Sequence, residues 1–222
     1  MKIAGFNKTS FVDYPGKIAC VVFTPHCNMR CDYCHNKHIL EGYVPLIDEG
    51  EIFDHIEKRK GMISALVITG GEPTLQAGLV DFIKKVKALD LAVKLDTNGS
   101  KPELIKDLLD QDLLDYIAMD IKSPFDKYCQ VAGTPLDIKA ISNSIDLIKN
   151  RAPDYEFRTT FAPELTVEDL RETARMAGTK KVYYIQQYRP NPGGAQAHPP
   201  QTLRQAAELI EKDGGRCKIR GL

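Results

Sequence analysis

The chain has 222 residues, 43% of them hydrophobic and 27% charged, which suits one globular domain over 1–222 with a sizeable core. Its 30 Lys and Arg balance 30 Asp and Glu, so no global charge points to nucleic acid or to an anionic membrane. No apolar run reaches the ~18 residues of a membrane span, and Met1–Lys8 lacks a hydrophobic signal core, which points to the cytoplasm.

Short runs rich in Val, Ile, Phe or Tyr predict strands at Ile18–Thr24, Ala65–Thr69, Ala92–Asp96, Tyr116–Ile121, Tyr155–Phe161 and Val182–Gln187. Amphipathic segments follow them near Asp48–Lys60, Leu75–Leu89, Lys101–Gln111, Asp137–Asn150, Val167–Ala177 and Pro200–Asp213. Lys101-Pro102-Glu103 marks a helix start and Gly214-Gly215 a helix stop, with a last short strand expected at Arg216–Ile219. The Pro- and Gly-rich stretch Arg189–Pro200 is expected to be a loop within the domain. Six strand-then-helix repeats imply parallel strands with right-handed crossovers, in either an open doubly wound sheet or a barrel-like one. Nearly all polar motifs follow the C-terminal ends of strands, where parallel α/β enzymes build their sites.

Three of the six cysteines form a C-x3-C-x2-C loop, Cys27, Cys31 and Cys34, directly after the first predicted strand. A disulfide framework suits small secreted chains, whereas crowded thiols more often bind a metal or cluster. Three thiolates on one loop would leave one iron of a [4Fe–4S] cluster open, able to chelate S-adenosylmethionine. Tyr33 would cover the cluster with its ring. The competing reading is a zinc site with His26, His35 or His38 as fourth ligand. Cys20 is expected in the core, with Cys129 and Cys217 as core or surface thiols. His55 and His198 are expected at the surface.

Thr69-Gly70-Gly71-Glu72-Pro73 ends the second predicted strand. Its paired glycines allow close backbone approach to a ligand, and the Glu72 region could receive an amino group; a plain turn is the alternative. With the cysteine loop, followed by His35-Asn36, this stretch resembles the radical S-adenosylmethionine superfamily. Within it the sequence is most similar to activating enzymes of glycyl radical enzymes, above all the group that activates anaerobic ribonucleoside-triphosphate reductase. Phe11-Val12-Asp13-Tyr14-Pro15-Gly16-Lys17 is similar to the lead-in of that group, and the likeness runs from about Gly5 to Gln187.

The resemblance implies an incomplete (β/α)6 barrel of parallel strands, open at its side, with the cluster at the C-terminal mouth. It implies that Asp96 and Thr97, of Leu95-Asp96-Thr97-Asn98-Gly99, face the cofactor and a bound monovalent cation, joined by Asp120. Asp96 and Asp120 could equally finish strand ends by hydrogen bonding. Lys122 could meet the cofactor carboxylate or balance the aspartates, or be a solvated surface lysine. Arg158 lies mid-strand among apolar residues, so it either points inward to an anion or sits on the surface. Relatives often place a polar cofactor contact after the sixth strand, some a histidine, where this chain has Gln186 and Gln187.

No cysteine lies between Cys34 and Gly70, so no second cluster-binding insert is expected. The implied reaction is reductive cleavage of S-adenosylmethionine to a 5′-deoxyadenosyl radical, which takes a hydrogen atom from a glycine of a partner enzyme. Flavodoxin or ferredoxin is the implied electron donor. Two rivals remain: a small-molecule enzyme similar to 7-carboxy-7-deazaguanine synthase, and a non-enzymatic zinc protein.

Overall fold

The computed structural model describes residues 1–40, 44–190 and 194–222. Seven parallel strands form its frame: β2 (Ala19–Thr24), β3 (Ala65–Gly70), β4 (Ala92–Thr97), β5 (Tyr116–Asp120), β6 (Tyr155–Phe161), β7 (Tyr183–Gln187) and β8 (Cys217–Arg220). A further strand, β1 (Gly5–Ser10), pairs antiparallel with β2. The spatial order is strictly β1 to β8, so the sheet has no switch point of the kind that defines a doubly wound fold. No pairing joins β1 to β8 among the described residues, which leaves an incomplete α/β barrel open at its side.

The six predicted strands correspond to β2–β7 and the expected last strand to β8. β1 lacks the signal used to find the others. Its sequence Gly-Phe-Asn-Lys-Thr-Ser is polar, and Asn7, Lys8 and Thr9 are exposed on the sheet's edge. An edge strand needs no alternating apolar face.

Helices α1 (Lys37–Leu40), α2 (Glu49–Lys58), α3 (Leu79–Lys87), α4 (Pro102–Asp110), α5 (Tyr128–Ala132), α6 (Ile138–Arg151), α7 (Val167–Ala177) and α8 (Pro200–Lys212) fill the connections. α4 shows the logic: Pro102 opens it, and Ile105, Leu108 and Leu109 recur at helical spacing and are all buried. Burying each such side chain contributes about 1.5–3 kcal/mol. The short α1 and α5 were not expected, since neither is long enough to display a period. None of the described helices is long and apolar enough to cross a membrane. Of the Arg189–Pro200 loop, residues 191–193 lie outside the described residues.

Side chains alternate across the sheet, so one face meets the helices and the other faces the barrel. Val22, Leu66, Ile68, Val93, Leu95, Ile117 and Met119 belong to the main core under the helices. Facing inward at the N-terminal end, Val21, Ala65, Val67, Tyr116 and Ala118 form a second, smaller apolar cluster with Tyr14. On the same inward rows Lys94 is in register with Val67 and Tyr116, and Glu156 with Ala118, while Asp96, Asp120 and Arg158 line the cavity toward the C-terminal ends. The interior thus turns from apolar floor to charged mouth.

Candidate functional site

A cavity of about 240 Å³ opens at the C-terminal mouth, and Cys27, Cys31 and Cys34 all line it. Glycine makes the cysteine loop fit. Gly70 has φ +114°, and a Cβ there would stand 2.4 Å from the backbone nitrogen of Thr24. A Cβ on Gly71 would come within 1.9 Å of the carbonyl oxygen of His26. Only glycine allows the backbones to close, joined by Gly71 N–H to Thr24 O at 2.8 Å and Glu72 N–H to His26 O at 2.7 Å. The close approach expected of this pair is therefore made first to the cysteine loop itself, while both glycines also line the cavity.

From the other side the loop rests on α5. Arg30 N–H donates to Ala132 O at 2.8 Å, and a Cβ on Gly133 would lie 2.4 Å from Arg30 O. Within the loop the Arg30 guanidinium donates to the carbonyl of Cys27 at 2.6 Å, and Cys34 N–H to Cys31 O at 3.0 Å. Burial pushes the Cys27 and Cys31 thiols above their ordinary value. Tyr33 is buried beside them, its hydroxyl without a hydrogen-bond partner, and Lys122 Nζ lies 5.9 Å from its ring centre.

Cys20 is buried in the core, its thiol raised to about 12 by burial. Cys129 and Cys217 are half-buried and away from the cavity lining. All six cysteines are free. Of the histidines considered as a fourth ligand, only His35 lines the cavity; His26 takes φ 64° and uses its carbonyl to hold Glu72. Among the described residues no three His, Cys, Asp or Glu side chains gather around a single-ion position.

Glu72 is wholly buried and ties loops together rather than standing free. Its Oε1 accepts from Thr74 N–H at 3.1 Å, Thr74 Oγ1 at 2.6 Å and Thr97 Oγ1 at 2.8 Å; its Oε2 accepts from Asn98 N–H at 2.7 Å. Burial raises its carboxyl above the usual range. Thr97 thus directs its hydroxyl to Glu72.

Arg158 points inward, as one of its two expected orientations required. Its Nε donates to Asp120 at 2.5 Å and its Nη2 to Asp96 at 3.1 Å. Lys94 donates to Asp96 at 2.7 Å and Lys122 to Asp120 at 3.2 Å. Burial opposes charge on both aspartates, but Arg158 with Lys94 or Lys122 holds each carboxyl below the usual range. Burial likewise opposes charge on Lys122 and Arg158, and the aspartates keep both firmly protonated. The guanidinium thus bridges Asp96 and Asp120, the two carboxylates that the family likeness implied beside a monovalent cation.

Lys94, Asn98 and Glu156 were not singled out as inward site residues by sequence. Lys94 and Asp96 sit two apart in a buried strand, as do Glu156, Arg158 and Thr160, and that period was the available signal. Gln186 lines the cavity with a buried, unpartnered Oε1, whereas Gln187 donates to Tyr188 O and His198 O at 3.2 Å. His198 stacks on Phe161 with ring centres 3.9 Å apart.

The sequence profile of the Radical SAM superfamily matches residues 21–177. A Methanocaldococcus jannaschii protein named "putative glycyl-radical enzyme activating enzyme" is 39% identical over 195 residues, 85% of this chain and 80% of that protein. A second protein of the same organism and the same descriptive name is 29% identical over 161 residues, 70% of this chain and 60% of its own length. Among solved structures, Streptococcus suis SuiB bound to precursor peptide SuiA superposes with TM-score 0.73 at 11% identity, over 90% of this chain and 48% of that one. That last likeness concerns the fold alone. On the profile match and the 39% relative, this chain belongs to the radical SAM superfamily, enzymes that work with a [4Fe–4S] cluster and S-adenosylmethionine.

Proposed function

We propose that this chain, acting as one radical SAM domain in the cytoplasm, is an activating enzyme that installs a glycyl radical on a partner enzyme. The partner we name is anaerobic ribonucleoside-triphosphate reductase. The observation that carries the activating role is the 39% identity, across 80% of its length, to a protein of that descriptive name. The partner's identity rests on the lead-in Phe11–Lys17 and on the cysteine-free stretch after Cys34.

The residues present suit the cofactors of the family. Three thiols of one loop line a common cavity, with the buried Tyr33 ring beside them. Cys27, Cys31 and Cys34 would hold the cluster, with Tyr33 over it. Gly70, Gly71, Asp96, Lys122 and Arg158 would hold S-adenosylmethionine, cations of Lys122 and Arg158 meeting its carboxylate. Glu72 and Thr97 would support that wall from behind. When bound and reduced by a flavodoxin or ferredoxin, the cluster supplies one electron for sulfonium cleavage, so the products are methionine, 5′-deoxyadenosine and a glycyl radical. The barrel's open side leaves a route for a loop of a protein substrate.

The test is anaerobic. Reduced protein, S-adenosylmethionine and the anaerobic reductase of the same cell should give a glycyl radical doublet by electron paramagnetic resonance, with 5′-deoxyadenosine formed in step. A reductase with its radical-site glycine replaced by alanine should give none. A doublet on a different glycyl radical enzyme alone would remove the named partner. Consumption of a small heterocycle, with no protein responding, would remove the activating role.

A further inference from the structure

The last described strand reaches the buried Glu156 below the charged mouth. Arg220, at the end of β8, donates through Nη1 and Nη2 to both oxygens of Glu156, at 2.7 and 2.8 Å. Its guanidinium lies 3.6 Å from the centre of the Tyr184 ring. Glu156 itself is only 2% exposed and also accepts from Tyr116 Oη at 3.1 Å. On the same strand, two residues on, stands Arg158, whose Nη1 is 3.8 Å from Glu156 Oε1.

Arg158 therefore has three carboxylates within reach: Asp96 and Asp120 at the mouth, and Glu156 below. A planar guanidinium and a carboxylate pair best through two parallel hydrogen bonds. Glu156 gives that fork to Arg220, and Arg158 keeps its short contacts for Asp96 and Asp120. Without Arg220, the buried Glu156 would hold an unpaired charge with one guanidinium close by, and leaving it so is costly. The nearest remedy draws Arg158 down, away from the mouth.

We propose that Arg220 is a positioning residue for cofactor binding: by occupying Glu156, it leaves Arg158 free to stand at the mouth. This rests on the reading that the cavity takes S-adenosylmethionine, so the wild-type protein serves as the reference. Absence of wild-type binding would refute that reading; binding with the wrong variant pattern refutes the relay.

The experiment is calorimetric titration of anaerobically reconstituted protein with S-adenosylmethionine, with iron content and cluster absorbance measured on each sample. R220A should bind about tenfold more weakly, with iron content unchanged. E156Q, which removes the competing charge, should bind nearly as wild type. R220A/E156Q should recover most of the loss, an outcome that a merely structural strut would not give. R220K keeps a charge without the planar fork or the stacking, and should show a smaller loss in the same direction. This variant carries the test if R220A does not fold. Wild-type affinity in R220A and R220K, or a double variant as weak as R220A, would overturn the proposal.

Discussion

The backbone N–H of Asn98 donates to Glu72 Oε2 at 2.7 Å, while the Asn98 carboxamide reaches Cys27 Sγ at 3.7 Å and Asn28 Oδ1 at 2.9 Å. One residue thus couples the ends of β3 and β4 to the first cysteine of the loop. Glu72 accepts from four donors on two loops and so holds the walls of the mouth in register.

That arrangement predicts a stability cost for Glu72→Gln. The carboxamide is nearly the same shape, yet its NH2 must face either the Asn98 N–H or the three donors on Oε1. At least one buried donor is left without an acceptor in each case, which costs roughly 1–3 kcal/mol. For a chain of this length each kcal/mol lowers the melting temperature by about 2–4 °C. Thermal denaturation of the cluster-free variant beside wild type decides it, and equal midpoints would mean that the four contacts contribute nothing net.

Gly133→Ala should impair the cluster without touching a thiol. Gly133 ends α5 at φ +67°, and its added Cβ would press on Arg30 O, part of the backbone between Cys27 and Cys31. Backbone cannot swing aside as a side-chain tip can, so the loop must move. The expected result is a protein with native circular dichroism but well below wild-type iron after reconstitution. Full iron loading would show that the loop tolerates the shift.

Cys27, Cys31 and Cys34 should each be required for iron. Wild type is expected to take up about four irons and four sulfides per chain, and each single Cys→Ala variant to lose most of them together with all cofactor cleavage. Cys20→Ala, Cys129→Ala and Cys217→Ala should load normally, because these thiols do not line the cavity. Iron and sulfide assays read both halves. A fully loaded Cys31→Ala protein would break the assignment.

The strands of the barrel wall were legible because they are buried on both sides and therefore apolar, β-branched and short. β1 was not, since an edge strand at the barrel's open side carries no such pattern. The cysteine loop, Gly70-Gly71 and the inward aspartates were visible as motifs after strand ends. The meaning of Glu72 was not, because its partners are two backbone N–H groups and two hydroxyls brought together only by folding. Arg158 was ambiguous for the same reason: its carboxylates come from two other strands, 38 and 62 residues away in the chain. Arg220 lies on a strand so short, Cys217–Arg220, that its sequence alone gave no side.

The ion pairs of Arg158 predict an acid-sensitive cost for Asp120→Asn. Asp120 sits against Arg158 and Lys122, and although burial opposes its charge, those cations hold its carboxyl below the usual range. A group whose folded value is depressed stabilises the fold above its unfolded value, about 3.9 for Asp, and that contribution is lost as the pH falls through the folded value. The asparagine variant should therefore be less stable than wild type by roughly 1.5–3 kcal/mol near neutral pH, the size of a charge-assisted hydrogen bond. The difference should hold to about pH 5 and shrink below about pH 4, where the unfolded wild-type chain takes up a proton on this carboxyl while the folded one still resists it. Urea denaturation of both proteins at neutral, mildly acidic and strongly acidic pH measures it. A gap that stays constant into strong acid would mean that the lost stability came from packing or from neutral hydrogen bonding, not from the charge that Arg158 sees.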